Sequence, residues 1–300
     1  MAGKKSKQEL ADVNFQSELL KSYTDRMGNF ITFRKLLESG DKDKVRFGAK
    51  AITLSTLRVL EPHYKGLLVV FLYKSTLLNK EKRVLDLTDA NVSDATLTNS
   101  NLHNINLSHA NLSHANLIRA NLSQADLSYT NLDDALLYEA NLYAANLLSA
   151  NLNGADLGYA NLVNTNLQNA SMIEANLSHT YMNDVNLVNA NLFSAKLSYA
   201  TVFNTILNNA NLMDANLYST NLAHAGLTGA FLVGVNLDSA NLNYANLSKA
   251  NLSEVNLIRT NLNGVNLSGA NLSKAIVTEE QLSKAVSLKG TTMPDGTIHD

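Results

Sequence analysis

One residue recurs at every fifth position over nearly two thirds of this chain. Between residues 87 and 272 there are 38 such positions, and 34 of them are leucine. The four exceptions are also apolar: Val92, Met172, Met182 and Val202. A small residue, mostly alanine, lies two places before each, and the residue between them is usually Asn or Asp. The pattern A-(N/D)-L-x-x keeps its register throughout, so no loop is inserted within residues 86–275.

A period of five residues fits neither an α-helix nor a flat β-strand. Five residues rotate an α-helix by about 140°, which would spread the leucines around its surface. Five is an odd number, so successive leucines of a strand would point to opposite faces. All of these residues can be buried on one side only if the backbone turns at each repeat and closes into stacked coils.

Tandem A-(N/D)-L-x-x repeats resemble those of the pentapeptide-repeat family. The resemblance implies a mainly β fold, a right-handed quadrilateral β-helix with four repeats per coil and with leucine and the small residue inside. The 38 repeats then form about 9.5 coils, about 45 Å long at a spacing of about 4.8 Å. Because each coil contacts only its neighbours, both ends of the solenoid need a cap.

The net charge of −2 conceals a strong division along the chain. Residues 1–85 carry 17 Lys and Arg against 9 Asp and Glu, whereas residues 86–275 carry 5 against 13. This shift predicts a boundary near residue 85. We therefore divide the chain into a basic helical N-terminal domain (1–85), the β-solenoid (86–275), and a C-terminal cap and tail (276–300).

Both ends of the chain have helical patterns. Apolar spacing predicts helices at Phe15–Leu37, Lys44–Leu60 and Pro62–Leu78, and TEEQLSKA (Thr278–Ala285) predicts a short helix with a threonine N-cap. The stretch ITLSTLRVLEPHYKGLLVVFLYKSTLLN resembles a region ahead of the repeats in some cyanobacterial members of the family. We interpret the N-terminal helices as a cap, with a basic docking surface as the alternative. Their cations are scattered, so nucleic acid is not an expected partner, and contact with a membrane surface is left open.

The sequence contains no motif typical of catalysis or of cofactor binding. Phosphate-binding, dinucleotide-binding, nucleophile-elbow and zinc-protease patterns are missing, and there is no cysteine. His103, His109 and His114 lie in consecutive repeats, which places them on successive faces rather than around one metal ion. We therefore predict a protein that is not an enzyme and needs no cofactor or metal. With no signal segment and a longest apolar run of only Gly66–Tyr73, we expect a cytoplasmic location.

Two columns of outward residues are predicted to form an apolar and aromatic patch near the middle of the rod, because residues 20 apart lie above one another when four repeats form a coil. The first column consists of Ile173, Phe193, Met213 and Val233, with Phe231 on the same face. The second, on an adjacent face, consists of Tyr159, His179 and Tyr199, flanked by Tyr138 and Tyr218. We predict that these residues bind a protein partner, since a contiguous exposed apolar patch on a protein surface usually marks an interaction site. The alternative is that stacked side chains steady the solenoid as cross-strand pairs do.

The leading hypothesis for function is a non-enzymatic protein-interaction scaffold that presents a rigid β-solenoid surface. The alternative, which the resemblance implies for part of the family, is an acidic DNA mimic acting on a type II topoisomerase. Thirteen acidic residues spread over residues 86–275 are sparse beside the closely spaced phosphates of DNA. The basic N-terminal segment also argues against mimicry, as does leucine at central positions where mimic members carry Phe. The oligomeric state is left open.

Overall fold

The computed structural model describes residues 7–300. The helices are α1 (Lys7–Thr32), a short 3-10 helix (Leu36–Glu38), α2 (Lys44–Val59), α3 (Pro62–Lys74) and α4 (Glu279–Leu282). The repeats lie between α3 and α4. The expectation that the chain starts without a secretory signal depends partly on residues 1–6, which lie outside the described residues. Between residues 7 and 300, no helix is long and apolar enough to span a membrane.

Each repeat contains a tight turn that begins at its central leucine. In one such repeat the carbonyl oxygen of Leu112 accepts a hydrogen bond from the N–H of Ala115 at 3.0 Å, and His114 between them has a φ of 57°. A positive φ recurs at the same place in nearly every repeat. Asn, Asp and Gly adopt this conformation most readily, which explains why they are common there.

Residues 20 apart in sequence form parallel β-bridges along most of the repeats, and Asn111 pairs with Asn91 on one side and Asn131 on the other. The N–H of Leu112 donates to the Asn131 carbonyl at 2.7 Å, and the N–H of Asn131 donates to the Ala110 carbonyl at 3.1 Å. This pairing agrees with four repeats per coil. Within the described repeats the bridges are isolated pairs rather than continuous strands, because a turn follows so soon after each one. The count of about 9.5 coils stays a prediction.

The central residues and the small residues fill the interior of the coils. All 38 central residues from Leu87 to Leu272 are at most 2% exposed. Where threonine replaces alanine, its buried hydroxyl still has a partner, as buried polar groups require. The Thr165 hydroxyl donates to the Leu142 carbonyl at 2.9 Å, and the Thr220 hydroxyl donates to the Leu197 carbonyl at 2.7 Å. A threonine can therefore replace alanine without leaving an unpaired polar atom.

The asparagine before each central residue forms a ladder along the outside of the coils. Asn131 Oδ1 accepts from the backbone N–H of Asp133 at 3.3 Å and from Asn151 Nδ2 at 2.9 Å. Its own Nδ2 donates to Asn111 Oδ1 at 3.0 Å. Asparagine and aspartate readily bond to the backbone two residues ahead, and the amide of asparagine adds the link between coils. Asparagine is favoured before the central leucine because its side chain forms both of these bonds, one to its own turn and one to the next coil.

The N-terminal helices cover the first coil. The Pro62 carbonyl accepts from the N–H of Thr96 at 3.1 Å, and Lys65 Nζ donates to the Ser93 carbonyl at 2.9 Å. One hydrophobic core runs from α1 through the repeats to Leu282. The expected cap is confirmed by these contacts. Because the core is continuous, it marks no boundary near residue 85, and the division into 1–85, 86–275 and 276–300 stays a prediction.

The end of α3 differs from the prediction. The helix stops at Lys74 rather than Leu78, and Thr76 has a φ of 60°. Leu77 and Leu78 are fully buried, and the Leu78 carbonyl accepts from the N–H of Asn106 at 2.8 Å. Bonding to the first coil thus replaces the last turn of the helix. The first helix also differs, since α1 covers Lys7–Thr32 rather than Phe15–Leu37.

The predicted threonine N-cap near the C-terminus is confirmed. The Thr278 hydroxyl accepts from the N–H of Gln281 at 3.1 Å, and Gln281 Oε1 accepts from the N–H of Thr278 at 3.1 Å. This capping box starts α4, which is shorter than predicted. The following tail then pairs with the last repeats, Asn266 with Ser287 and Asn271 with Thr292. The tail therefore extends the stack of coils.

Candidate interaction surface

The predicted aromatic column is present as a continuous stack of rings. The ring centroids of Tyr159 and His179 lie 4.6 Å apart, and those of His179 and Tyr199 lie 4.9 Å apart, with planes within 10° of parallel. Tyr138 and Tyr218 contact the two ends edge-on at 5.6 and 5.4 Å. Tyr159 is 46% exposed and Tyr199 is 51% exposed. The structure therefore brings together all five residues that the sequence placed here.

Ile173, Phe193, Met213 and Val233, here called the apolar column, also lie above one another. The N–H of Glu174 donates to the Phe193 carbonyl at 2.9 Å, and the N–H of Ser194 donates to the Met213 carbonyl at 2.9 Å. The four apolar side chains are half-buried by their neighbours, whereas Phe231 on the same face is 49% exposed. Phe231 is thus the most accessible of the predicted apolar residues.

A polar strip separates the apolar column from the stacked rings. Between Phe193 and Tyr199 the chain passes through Lys196, which pairs with an asparagine in each adjacent coil. Next to the apolar column stand the exposed carboxylates of Glu174 and Asp214. Among residues 7–300, no base lies within ion-pair distance of either carboxylate. The two predicted columns are therefore separate surfaces, and the apolar one has an acidic margin.

Further aromatic residues, which the sequence reasoning missed, extend the stacked rings across one face of the solenoid. At the next corner Phe203 contacts His224 at 5.3 Å, and His224 stacks on Tyr244 at 5.3 Å. Tyr181, between the two corners, is 54% exposed. The spacing of 20 between His224 and Tyr244 was a usable signal. His224 and Tyr244 occupy the same position of the repeat as Tyr159, His179 and Tyr199, but they form a pair rather than a run of three.

We name this surface the aromatic face. It consists of Tyr159, His179, Tyr199, Tyr181, Phe203, His224 and Tyr244. Among the described residues that lie between its two corners, Asp184 is the only charged one, and Asn204 Nδ2 donates to its carboxylate at 2.7 Å. Aromatic enrichment together with depletion of charge is typical of the cores of protein interfaces.

Ion pairs stand at the two ends of the aromatic face. Arg119 and Glu139 pair at 2.6 Å on the N-terminal side, and Arg259 pairs with Asp238 on the C-terminal side. The Arg119 guanidinium lowers the pKa of the Glu139 carboxyl below its usual value. Desolvation, followed by the adjacent Tyr218 phenol, raises the pKa of Tyr199. The Tyr199 phenol therefore remains a neutral hydrogen-bond donor at physiological pH.

The three histidines in consecutive repeats do not converge. His103 Nδ1 lies 2.9 Å from Ser123 Oγ, and the His109 ring stacks on Tyr129 at 4.7 Å. His114 Nδ1 lies 3.9 Å from the Asp134 carboxylate. Nowhere in residues 7–300 do three or more potential metal ligands of the His, Cys, Asp or Glu type cluster.

A depression of about 290 Å³ between α2 and the first coil contains several charges. Arg46 and Lys50 line it, and each is paired with a carboxylate at 2.5 Å, Arg46 with Asp41 and Lys50 with Asp86. Burial of Asp86 would raise the pKa of its carboxyl, but hydrogen bonds from Lys50 and Thr88 lower it overall. The Lys50–Asp86 pair joins α2 to the repeats, whereas the Arg46–Asp41 pair lies within the helical segment.

The repeats match a known family. The profile described as pentapeptide repeats matches eight times, in overlapping segments that together run from residue 86 to residue 286. A search of curated proteins found no match.

Several solved structures are similar to this chain. HetL, a pentapeptide repeat protein involved in heterocyst differentiation regulation in the cyanobacterium Nostoc sp. strain PCC 7120, is 35% identical over 71% of this chain and 86% of its own, with a TM-score of 0.52. Rfr23 from the cyanobacterium Cyanothece 51142 is 28% identical over 44% of this chain and 64% of its own, with a TM-score of 0.18. QnrB1, a plasmid-mediated fluoroquinolone resistance protein, is 12% identical over 67% of this chain and 92% of its own, with a TM-score of 0.30. On the matched repeats and the likeness to HetL, this chain belongs to the pentapeptide repeat family, whose fold is a right-handed β-helix solenoid.

Proposed function

We propose that this protein is a non-enzymatic interaction scaffold whose solenoid binds a protein partner at the apolar column. Members of the pentapeptide repeat family generally serve as structural or interaction scaffolds. The observation that carries the proposal is the apolar column with its acidic margin. Phe231 lies beside the column on the same face and adds exposed apolar surface. Glu174 and Asp214 border the column, and their carboxylates have no ion-pair partner among residues 7–300.

This combination specifies the chemistry of the partner. Glu174 and Asp214 lie two coils apart, which is about 9.6 Å at a spacing of about 4.8 Å. A partner that presents apolar side chains flanked by Lys or Arg would bury the column and pair with both carboxylates. Complementary charges at the margin of an interface mainly increase the association rate and the specificity. The rigid backbone keeps this arrangement in place before the partner binds, which lowers the entropy lost on binding.

The test is affinity capture from the native host with the full chain as bait. The double variant Phe193→Asp, Met213→Asp is expected to lose the specific partner, because it places charge in the middle of the buried contact. Ser253→Asp is the matched control, since residue 253 occupies the same position of the repeat in the same column. The proposal is wrong if the double variant captures the same proteins in the same amounts as the unmodified chain and the control.

Once a partner has been identified, the contribution of the acidic margin to the association rate can be tested separately. Glu174→Lys with Asp214→Lys is expected to slow association by about tenfold at low salt and to reduce its salt dependence, as for charges at an interface rim. Stopped-flow or surface plasmon resonance at two salt concentrations measures this. Unchanged association rates would assign the recognition to the apolar side chains alone.

The DNA-mimic alternative draws less support from the placement of charge. Glu139, Asp238 and Glu254 are paired with bases of the neighbouring coils, which reduces the acidity of the solenoid surface. A DNA supercoiling assay with purified topoisomerase tests the alternative directly. Inhibition of the enzyme at stoichiometric concentration would support it over a partner bound at the apolar column.

A further inference from the structure

The aromatic face carries almost no charge, whereas the apolar column is bordered by two carboxylates. In a twofold contact each copy presents the same surface to the other, so an unpaired charge near the axis meets a like charge. Glu174 and Asp214 would repel their counterparts in such a contact. In the aromatic face Asp184 is the single charged residue among those described, and it is held by Asn204. The aromatic face is therefore suited to self-association, and the apolar column is suited to a different protein.

We infer that the aromatic face is an interface between two copies of this chain, with their rods antiparallel. The aromatic face is separate from the apolar column, and its partner is a second copy of this chain rather than a different protein. Tyr181, Tyr199 and Tyr244 are 54%, 51% and 61% exposed, an unusual concentration of accessible aromatic surface for one side of a soluble rod. Stacking on their neighbours already orders several of these rings, so their burial loses little conformational entropy.

The ion pairs at the two ends of the face determine which register is favourable. Glu139 lies three coils before Tyr199 at the same corner, and Arg259 lies three coils after it, since the segments that follow these corners pair at intervals of 20 residues from Asn141 to Asn261. A twofold axis through Tyr199, perpendicular to the rod, therefore places Glu139 of each copy opposite Arg259 of the other. Both side chains are accessible, with 36% of Glu139 and 71% of Arg259 exposed.

Other registers lose this complementarity. An axis half a coil earlier, between His179 and Tyr199, sets Arg119 of one copy against Arg259 of the other. An axis through His179 sets Glu139 against Ser219, which is uncharged. A parallel arrangement with the axis along the rod brings each arginine next to its counterpart. The antiparallel register about Tyr199 is the one that pairs unlike charges at both ends.

In this register the segment from Tyr199 to Phe203 runs along the twofold axis. Tyr199, Thr201 and Phe203 then each meet the same residue of the second copy. The centre of the contact is aromatic and uncharged, and the charges lie at its rim. This is the distribution typical of homodimer interfaces, which have an apolar core and a polar rim.

Sedimentation velocity of the full chain over a range of concentrations is the first experiment. The unmodified chain is expected to form a dimer, and Tyr199→Asp with Phe203→Asp is expected to weaken self-association by more than about tenfold, as for central aromatic residues of an interface. Ser149→Asp is the control, because it adds a negative charge at the repeat position of Tyr199 on the opposite corner of the coil. A chain that is monomeric throughout, or a dimer that the double variant leaves intact, overturns the inference. Circular dichroism checks that each variant is folded.

Cysteine cross-linking tests the register without depending on a disruptive variant, since the chain has no cysteine of its own. Thr201→Cys places one thiol on the axis in each copy, and mild oxidation is expected to link two chains. Asn161→Cys lies two coils away, so its two thiols would be about 19 Å apart in the antiparallel dimer, too far for a disulfide. Equal cross-linking of both variants, or none with Thr201→Cys, overturns the proposed register.

A charge-reversal pair separates this inference from the proposed function. Glu139→Arg alone is expected to weaken the dimer, and adding Arg259→Glu is expected to restore it, because the opposed charges are then exchanged. A double variant as weak as the single one contradicts the pairing. Phe193→Asp with Met213→Asp is expected to leave the dimer intact, and Tyr199→Asp with Phe203→Asp is expected to leave partner capture intact. Failure of either proposal is therefore visible without the other.

Discussion

At the scale of single residues, Tyr159, Tyr199 and Tyr244 have positive φ angles of 59°, 61° and 57°. L-amino acids avoid this region because Cβ crowds the backbone, at a cost of about 1–2 kcal/mol. The bend that this conformation makes in each repeat aims the side chain outward at the corner of the coil. No residue branched at Cβ occupies this position in residues 86–275, in agreement with the extra crowding such a side chain would meet.

Ser149→Val tests the backbone requirement of these corners. Ser149 has a φ of 55°, so valine is expected to lower the free energy of unfolding by about 1 kcal/mol, because its branched Cβ adds crowding that serine does not have. Glycine is expected to leave it nearly unchanged, because the relief of crowding is offset by the greater freedom of glycine in the unfolded chain. Ser253→Val is the control at the preceding position of a repeat, where no positive φ occurs. Chemical denaturation followed by circular dichroism measures the difference. Equal effects of valine at both positions would contradict this explanation.

Burial of Tyr23 makes the stability of the helical cap depend on pH in the alkaline range. Its side chain is 2% exposed and its hydroxyl lies 2.7 Å from Thr53 Oγ1, and burial raises the pKa of the phenol well above the usual value. A raised pKa means that the folded state favours the protonated form, so this contribution is complete below about pH 10 and is lost as the pH rises above it. Tyr23→Phe is expected to make unfolding of α1 and α2 less dependent on pH between 10 and 12. Parallel pH profiles for both proteins would count against this assignment.

At the scale of elements, α3 can pack closely against the first coil because residue 66 is a glycine. A Cβ on Gly66 would lie 2.0 Å from the Thr96 carbonyl oxygen, a backbone atom that cannot move aside. The same carbonyl belongs to the first coil that α3 covers. Lys65 reinforces the contact from the adjacent position by donating to Ser93, and burial lowers the pKa of its amine. Close approach of helix and coil thus depends on the missing side chain.

Gly66→Ala is expected to displace α3 and to destabilise the cap by about 1–3 kcal/mol, as overpacking of a buried contact does. Gly28→Ala is the matched control, because Gly28 lies within α1 and a Cβ there would meet nothing within 4 Å. Replacing glycine with alanine in a helix interior is expected to stabilise the protein by up to about 1 kcal/mol. Hydrogen exchange of α3 amides distinguishes the two variants. A destabilisation as large in the Gly28 variant would refute the packing explanation.

At the scale of the whole molecule, the solenoid is a stack in which each coil contacts its neighbours and the 20-residue pairing aligns the columns. Position along the rod and position around it are therefore both set by residue number. The cap joins the same core, so removing residues 1–85 would expose the interior of the first coil. Binding sites are better tested by point variants of the full chain than by truncation.

Two deletions test the relation between residue number and face. Removing residues 161–180, a whole coil, is expected to leave a folded, shorter rod in which Tyr199 stacks directly on Tyr159. Removing residues 166–170, a single repeat, is expected to leave a folded rod in which everything after the deletion is rotated by one face, so that His179 no longer contacts Tyr159. Thermal unfolding and crystal structures of both variants check this. A stack that survives the five-residue deletion would show that the columns are not set by residue number.

The repeating features of the fold could be predicted from the order of the residues. The five-residue spacing of leucine required a turn in every repeat and an apolar interior. The four repeats per coil that the family resemblance implies were then enough to place Tyr159, His179 and Tyr199 in one stack. These features were predictable because each depends on one repeat and its nearest neighbours. The positive φ at the corners and the double use of Asn131 were not predicted, although the residue preferences hinted at both.

Features that depend on contacts between distant or unlike segments could not be predicted in this way and became visible only in the folded chain. Helix α3 ends at Lys74 because Leu78 bonds to the first coil, and the helical pattern of the sequence contains no sign of that tertiary bond. The stacking of Phe203 with His224 joins residues from different positions of the repeat, and the acidic margin of Glu174 and Asp214 matters because no base in the described chain reaches them. Local spacing places a side chain on a face, but its accessibility and its partners depend on what the neighbouring coils and helices leave uncovered.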